Sequence, residues 1–291
     1  MLKGLADVVL IDVVPGLAQG KALDVLQAAA IENQPVQVTG TTEYAAVAGS
    51  RLVVVTAGLA RKPGMSRDDL LTANANIVGP IAEQIARHAP QAVVIVVTNP
   101  LDVMTAVVLQ RTGFPRQRVM GMAGVLDTGR LRAFVAQRLR IEPAKIQAVI
   151  LGSHGDLMVS VRGSVMANGT PVSTLLPSDE FEQLLTRTRD GGAEVVSLLK
   201  TSSAYYAPAS GVVQMIQAVL RDAHQVLPAA VWLEGEYGLS DVCIGVPVEL
   251  AASGMVRVVE QPLTPDERAA LHRAAQQVKD GIAVACPTKV R

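Results

Sequence analysis

Short runs of apolar, mostly β-branched residues alternate with helix-period stretches through the first half of the chain. Asp7-Val8-Val9-Leu10-Ile11-Asp12 reads as a buried strand, Gly16 to Ala30 as the helix after it, and Val36 to Thr39 as a short strand ending at Gly40. Leu52 to Thr56 and Val93 to Thr98 read as strands buried on both faces, flanking a helix from Arg67 to His88, with a weaker strand at Val119 to Met122. Near-continuous β-branched runs separated by helices predict a parallel sheet covered on both sides. The second half changes character. Ile146 to Leu151 is apolar and is followed by a glycine-punctuated segment to Pro171. A helical region from Ser178 to Leu220 comes next, broken near Ala207-Pro208. Strand-like stretches lie at 226–233, 242–249 and 256–260, and an amphipathic helix runs from Pro265 to Val278. The pattern predicts a doubly wound, Rossmann-type α/β sheet in residues 1–124 and an α+β domain in residues 125–291.

Composition supports two units of that size. The chain has 291 residues, about two domains at roughly 150 residues each. Apolar residues make up 49% and charged residues 18%, enough for a large core. Lys plus Arg and Asp plus Glu both count 26. That balance argues against nucleic acid, whose phosphates demand a basic excess, while local arginines can still bind a small dianion. Two cysteines, Cys243 and Cys286, sit among apolar neighbours, too few for a disulfide framework and suited to core thiols in a reducing compartment. Asp7 and Asp12 interrupt the first apolar stretch, which therefore does not read as a signal peptide. No apolar run is long enough for a membrane span. A cytoplasmic protein is expected.

Several residues carry candidate chemistry. Asp12 ends a strand, where a doubly wound sheet places the acid that binds a ribose hydroxyl, although strand-terminal aspartates also serve simply as turn residues. The accompanying G-x-G-x-x-G pattern occurs nowhere in the sequence. Arg61, Lys62 and Arg67 lie in the loop 57–67 leaving the carboxyl end of a strand, irregular at Gly58, Pro63 and Gly64 as a lid would be. Guanidinium forks there suit carboxylates, and a solvated basic loop is the plainer alternative. Asn99-Pro100 follows the next strand, where the asparagine can reach a cleft and the X-Pro bond can be cis. Asp127 and Arg130 share one face of a helix at i, i+3, consistent with an ion pair or with a site. His154 is the most specific residue. His88, His224 and His272 occupy polar positions on helical segments, whereas Gly152-Ser153-His154-Gly155-Asp156 follows a buried strand between glycines that permit close approach of a ligand. A histidine held by a carboxylate suits proton exchange near neutrality.

Together these pieces resemble the lactate/malate dehydrogenase family, specifically its lactate dehydrogenase-like malate branch. The resemblance runs through the Arg61 to Arg67 loop, Thr98-Asn99-Pro100-Leu101-Asp102, Gly124 to Asp127, Gly152 to Asp156, Leu199 to Pro208 and Tyr237-Gly238. It implies NAD-dependent oxidation of (S)-malate to oxaloacetate in a homo-oligomer, dimer or tetramer. His154 would be the acid/base and Asp127 its carboxylate partner. Arg130 would grip the carboxylate beside the reacting carbon. Arg67 would polarise the carbonyl, with Asn99 hydrogen-bonding near the same oxygen. Asp12 would take the adenosine ribose, and Asn74, Val97, Thr98 and Asn99 would face the nicotinamide side. Arg61 would hold the second carboxylate of a dicarboxylate, a position that is neutral in lactate-type enzymes.

The sequence departs from that family in three places. About twenty residues of the usual architecture, the first strand and the glycine loop, have no counterpart before Leu2. In strand order 3-2-1-4-5-6 this would leave the strands at Val8 and Val53 with unpaired facing edges. The alternatives are a start other than Met1, or a noncatalytic relative that keeps the fold and assembly surface and binds no NAD. Val159 to Arg162 stands where the family usually carries prolines, and Gly129 precedes Arg130. Lactate dehydrogenase activity is a further alternative, which Arg61 opposes.

Overall fold

A computed structural model describes residues 3–59 and 65–286, and of Arg67 the backbone alone. The first half contains β1 (Val8–Ile11), α1 (Leu17–Ile31), β2 (Val38–Thr41), β3 (Leu52–Val55), α2 (Arg67–His88), β4 (Val93–Val96), α3 (Leu101–Thr112) and β5 (Val119–Gly121). The second half opens with α4 (Gly124–Leu139), β6 (Ile146–Gln147), β7 (Ile150–Gly152), β8 (Met158–Ser160), β9 (Met166–Ala167), β10 (Thr170–Pro171) and α5 (Val172–Leu175). It continues with α6 (Ser178–Leu199), α7 (Tyr206–Leu220), β11 (Gln225–Glu234), β12 (Ser240–Ala251), β13 (Gly254–Val258) and α8 (Pro265–Ala285).

The main sheet has the order β3-β4-β5-β11-β12-β7-β8, with β13 on β12. Strands β3, β4 and β5 are parallel, as their β-branched runs predict. A single antiparallel pair, Ala230 with Gly121, carries the ladder into the second half. Strands β1 and β2 form a separate parallel pair. Ile11 and Val53 both pack on Val47, Ala89 and Ala92, so the pair docks beside β3 with no strand between them among the described residues.

That arrangement corrects two readings. Strand β1 is not buried, since Val9 is 40% exposed, and only Val55 of β3 is buried. Among the described residues each strand has one edge without a ladder, and burial on both faces needs neighbours on both sides. Strand β4, between β3 and β5, is buried throughout. Strand β2 begins at Val38 and passes through Gly40 instead of ending there. A Cβ on Gly40 would overlap the Ala18 carbonyl, so this glycine lets the start of α1 lie on the strand.

Helix α3 is invisible to periodicity. Leu101 to Leu109 are all buried, because sheet strands cover one side and α8 packs on the other. Val103 marks that contact, as a Cβ on Gly281 of α8 would lie 2.9 Å from its Cγ2. With no solvent face there is no polar stripe to read. The long helical region breaks between Leu199 and Tyr206, before Ala207-Pro208. Pro208 sits in the first turn of α7, where its missing N–H costs no intrahelical bond. Helices α2 and α8 start at reciprocal capping boxes, Ser66 with Asp69 and Thr264 with Glu267. The principal core runs from Val55 to Cys286 through both halves and includes Cys243, so both thiols are free and buried. Among the described residues no helix is long and apolar enough to cross a membrane.

Candidate active site

Strands β7 and β8 form a tight hairpin whose tip carries His154. Gly152 has φ +88°, and a Cβ there would lie 2.8 Å from the Leu157 carbonyl oxygen. A side chain would open the turn, so the glycine sets where the histidine stands. Asp127 arrives from the first turn of α4. A Cβ on Gly124 would come within 2.6 Å of Pro228 Cβ, so this glycine lets α4 begin directly against β11.

These two elements bring the imidazole and the carboxylate into contact. His154 Nδ1 lies 2.9 Å from Asp127 Oδ2, with the two side chains 18% and 2% exposed. A proton on Nδ1 directed at this anion leaves Nε2 of the neutral ring as the acceptor. Burial works against the imidazolium, but the charge of Asp127, its hydrogen bond and the charge of Asp102 outweigh burial and the opposing Arg130, so the His154 pKa is raised. Arg130 donates to the other Asp127 oxygen at 3.2 Å and is 14% exposed. The i, i+3 spacing is realised as an ion pair, beside His154. Gly191 and Gly192 of α6 make room for its stem, because a Cβ on Gly191 would lie 3.2 Å from Arg130 Cδ. Glycine inside a helix costs about 1 kcal/mol relative to alanine, which α6 bears at this contact.

The loops after β3 and β4 meet behind the sheet's carboxyl edge. Asn74 is fully buried, accepts the Leu59 N–H at 2.7 Å, and donates to the Leu59 and Asn99 carbonyls at 3.2 and 2.6 Å. Its amide hydrogens are thus spent on main chain. Asn74 ties the two loops together. Thr98, 6% exposed, donates to the Ala57 carbonyl at 2.6 Å and works the same way. Val97 is partly exposed and Asn99 exposed, and the Asn99-Pro100 peptide is cis. Asp12 directly follows β1 and accepts the Val14 N–H on Oδ1 at 2.9 Å, which is at least a turn role. Arg61, with Lys62, lies outside the described residues, as does the side chain of Arg67.

Asp12 and the 57–59 and 97–99 segments are the residues here that would hold NAD. Asp12 stands at the carboxyl end of a parallel strand, and Gly58 brings the backbone 57–59 against Asn74 and Thr98. A Cβ on Gly58 would lie 2.6 Å from Thr98 Cγ2 and 3.1 Å from Asn74 Oδ1. Thr98 is buried and stiff at χ1, so Gly58→Ala should displace the loop at a cost of about 1–3 kcal/mol. We expect NADH affinity to fall roughly tenfold or more relative to the parent, measured by fluorescence titration; equal affinities would separate this loop from cofactor binding.

Sequence reasoning missed Asp102. Its Oδ2 accepts the Ser153 hydroxyl at 2.8 Å and the His154 N–H at 3.1 Å, joining the β7–β8 hairpin to the start of α3. Burial pushes its pKa up to about 6, against the Ser153 hydrogen bond and the charge of His154. Reading α3 as a helix would have flagged it, as a carboxylate in an otherwise apolar first turn. Of the other histidines, His88 and His272 lie on α2 and α8 as read, whereas His224 does not. His224 is not helical but follows α7 at φ 48°, with Nδ1 2.8 Å from Glu249 Oε1. His272 is exposed on α8, yet its Nε2 lies 3.0 Å from the Tyr237 carbonyl oxygen.

Comparison with known proteins places this geometry. Residues 1–121 match the lactate/malate dehydrogenase NAD binding domain, and residues 124–286 match that family's alpha/beta C-terminal domain. The chain belongs to the lactate/malate dehydrogenase family. It is 51% identical to malate dehydrogenase of Synechocystis sp. over 283 residues, 97% of this chain and 87% of the relative. The apo malate dehydrogenase of Picrophilus torridus superposes with a TM-score of 0.95 at 36% identity, covering 98% of this chain and 91% of that one. A lactate dehydrogenase of Cryptosporidium parvum, complexed with lactic acid and nicotinamide adenine dinucleotide, also gives 0.95 at 36% identity, covering 99% and 92%. The backbone is therefore equally close to both activities, and the choice between them belongs to side chains.

Proposed function

We propose that this chain catalyses reversible, NAD-dependent oxidation of (S)-malate to oxaloacetate, with His154 as the acid/base. The observation that carries this reading is the 2.9 Å His154–Asp127 pair beside Arg130. NAD, when bound, supplies the hydride acceptor. Asp12 would hold its adenosine ribose, and the 57–59 and 97–99 segments its nicotinamide end. His154 takes the hydroxyl proton on Nε2, and Asp127 stabilises the imidazolium so formed. Arg130 holds the carboxylate next to the reacting carbon. Arg67 and Asn99 stabilise negative charge developing on the reacting oxygen. Arg61 pairs with the distal carboxylate. Pyruvate would leave that cation unpaired, which disfavours it. The division into a dinucleotide-binding part, 1–124, and a catalytic part, 125–291, belongs to the same proposal, as do a cytoplasmic location and homo-oligomeric assembly.

Catalytic efficiency toward oxaloacetate and pyruvate, each with NADH and NADPH, tests this reading. Oxaloacetate should be preferred by about 10²-fold or more, since a charge-assisted bidentate pair is worth a few kcal/mol. NADH should be preferred over NADPH, because Asp12 repels a 2′-phosphate. A preference for pyruvate would assign the chain to the lactate activity instead.

A further inference from the structure

Asp102 is 3% exposed, in the first turn of α3, where Leu101 to Leu109 are all buried. One oxygen accepts the Ser153 hydroxyl and the His154 N–H. The other, Oδ1, is buried with no hydrogen-bond partner among the described residues. If the residue served only as a tether, an asparagine carbonyl would accept the same two hydrogens without burying a charge. A half-satisfied buried carboxylate is costly, so its charge needs a separate reason. The groups facing it supply one. From the β7–β8 hairpin comes His154, from α4 Asp127 with Arg130 beyond it, and from β12 the buried thiol Cys243, with Cys286 just after α8 behind. Of these, His154 is the group whose proton the reaction uses.

We propose that Asp102 is a positioning residue for His154, tying the histidine's main chain to the start of α3 and adding a second negative charge to Asp127 in holding the imidazole's proton. This rests on the reading of His154 as the acid/base. Asn99 lies three residues before Asp102, so the same tether fixes the histidine relative to the Asn99 loop. The two groups titrate as a linked pair. As Asp102 takes up a proton below about pH 6, its share of the pull on the imidazole proton is lost.

The test uses the protein without cofactor or substrate. The ring Cε1–H signal of His154, assigned by its loss in His154→Gln, is followed by NMR through a pH titration in the parent and in Asp102→Asn. The asparagine keeps an acceptor for Ser153 and His154 but carries no charge. The His154 midpoint should move to lower pH by about half a unit or more, with thermal stability kept or raised. Ser153→Ala removes a hydrogen bond that holds Asp102 ionised, and should shift the midpoint the same way by less. It serves as the deciding variant if Asp102→Asn does not fold. An unmoved midpoint would reduce Asp102 to a tether and overturn the proposal. Because the readout needs no turnover, a shifted midpoint in a protein inactive on malate would sink the assigned reaction and leave this pairing intact. In an active protein, the acid limb of the malate-oxidation profile should move to lower pH along with the midpoint.

Discussion

Replacing His154 with asparagine is expected to cut turnover by about 10²–10⁴-fold, the usual contribution of general acid/base catalysis, while leaving NADH binding at its parental strength. An asparagine amide can still donate to Asp127 from the tip of the hairpin, so the 2.9 Å contact need not leave a buried carboxylate alone. What it cannot do is exchange a proton near neutral pH. The sign of the accompanying pH dependence follows from the raised His154 pKa, in which Asp127 and Asp102 outweigh burial. Malate oxidation needs the neutral ring, so the parent's rate should fall as pH drops through that raised value. Oxaloacetate reduction needs the imidazolium and should fall as pH rises through it. Steady-state rates and a fluorescence titration of NADH, in variant and parent, make the check. Near-parental turnover would remove His154 from the mechanism.

His154 and Asp127 were legible in the sequence because local rules place them. Glycines at 152 and 155 punctuate the segment after a strand, and the i, i+3 spacing puts Asp127 and Arg130 on one helix face. Strands β3 to β5 were legible for a similar reason, since β-branched runs have few other uses. What failed depended on neighbours distant in the chain. Helix α3 lost its periodicity through burial on all sides, and Asp102 was lost with it. The loop-tying bonds of Asn74 to Leu59 and Asn99 could not be read from the sequence. Only the meeting of two loops shows where that amide is spent. Val9 was expected to be buried and is exposed, and Leu52 to Val54 pack against the core only partly buried, at strands that each have one edge without a ladder among the described residues.

Arg61→Gln is expected to reverse the direction of substrate preference, from oxaloacetate toward pyruvate. The fold gives no help with this choice, because a malate and a lactate dehydrogenase superpose on the chain equally well. The discriminating chemistry is the second carboxylate of oxaloacetate against the methyl group of pyruvate. In the proposed reaction Arg61 answers that carboxylate, from the segment between the end of β3 and the start of α2. The substitution leaves Arg67, Arg130 and the His154–Asp127 pair unchanged, so proton exchange and the grip on the first carboxylate persist. Loss of a charge-assisted pair worth a few kcal/mol, at about 1.4 kcal/mol per tenfold, should lower efficiency with oxaloacetate by about 10²-fold or more. Efficiency with pyruvate should rise, because no cation is then left unpaired beside its methyl group. The gain should be smaller than the loss, since removing a repulsion does not build a pocket shaped for a methyl. The measurement is the ratio of kcat/KM for the two keto acids in variant and parent. An unchanged ratio would move substrate selection away from Arg61, and the preference for malate over lactate would then lose its residue-level support.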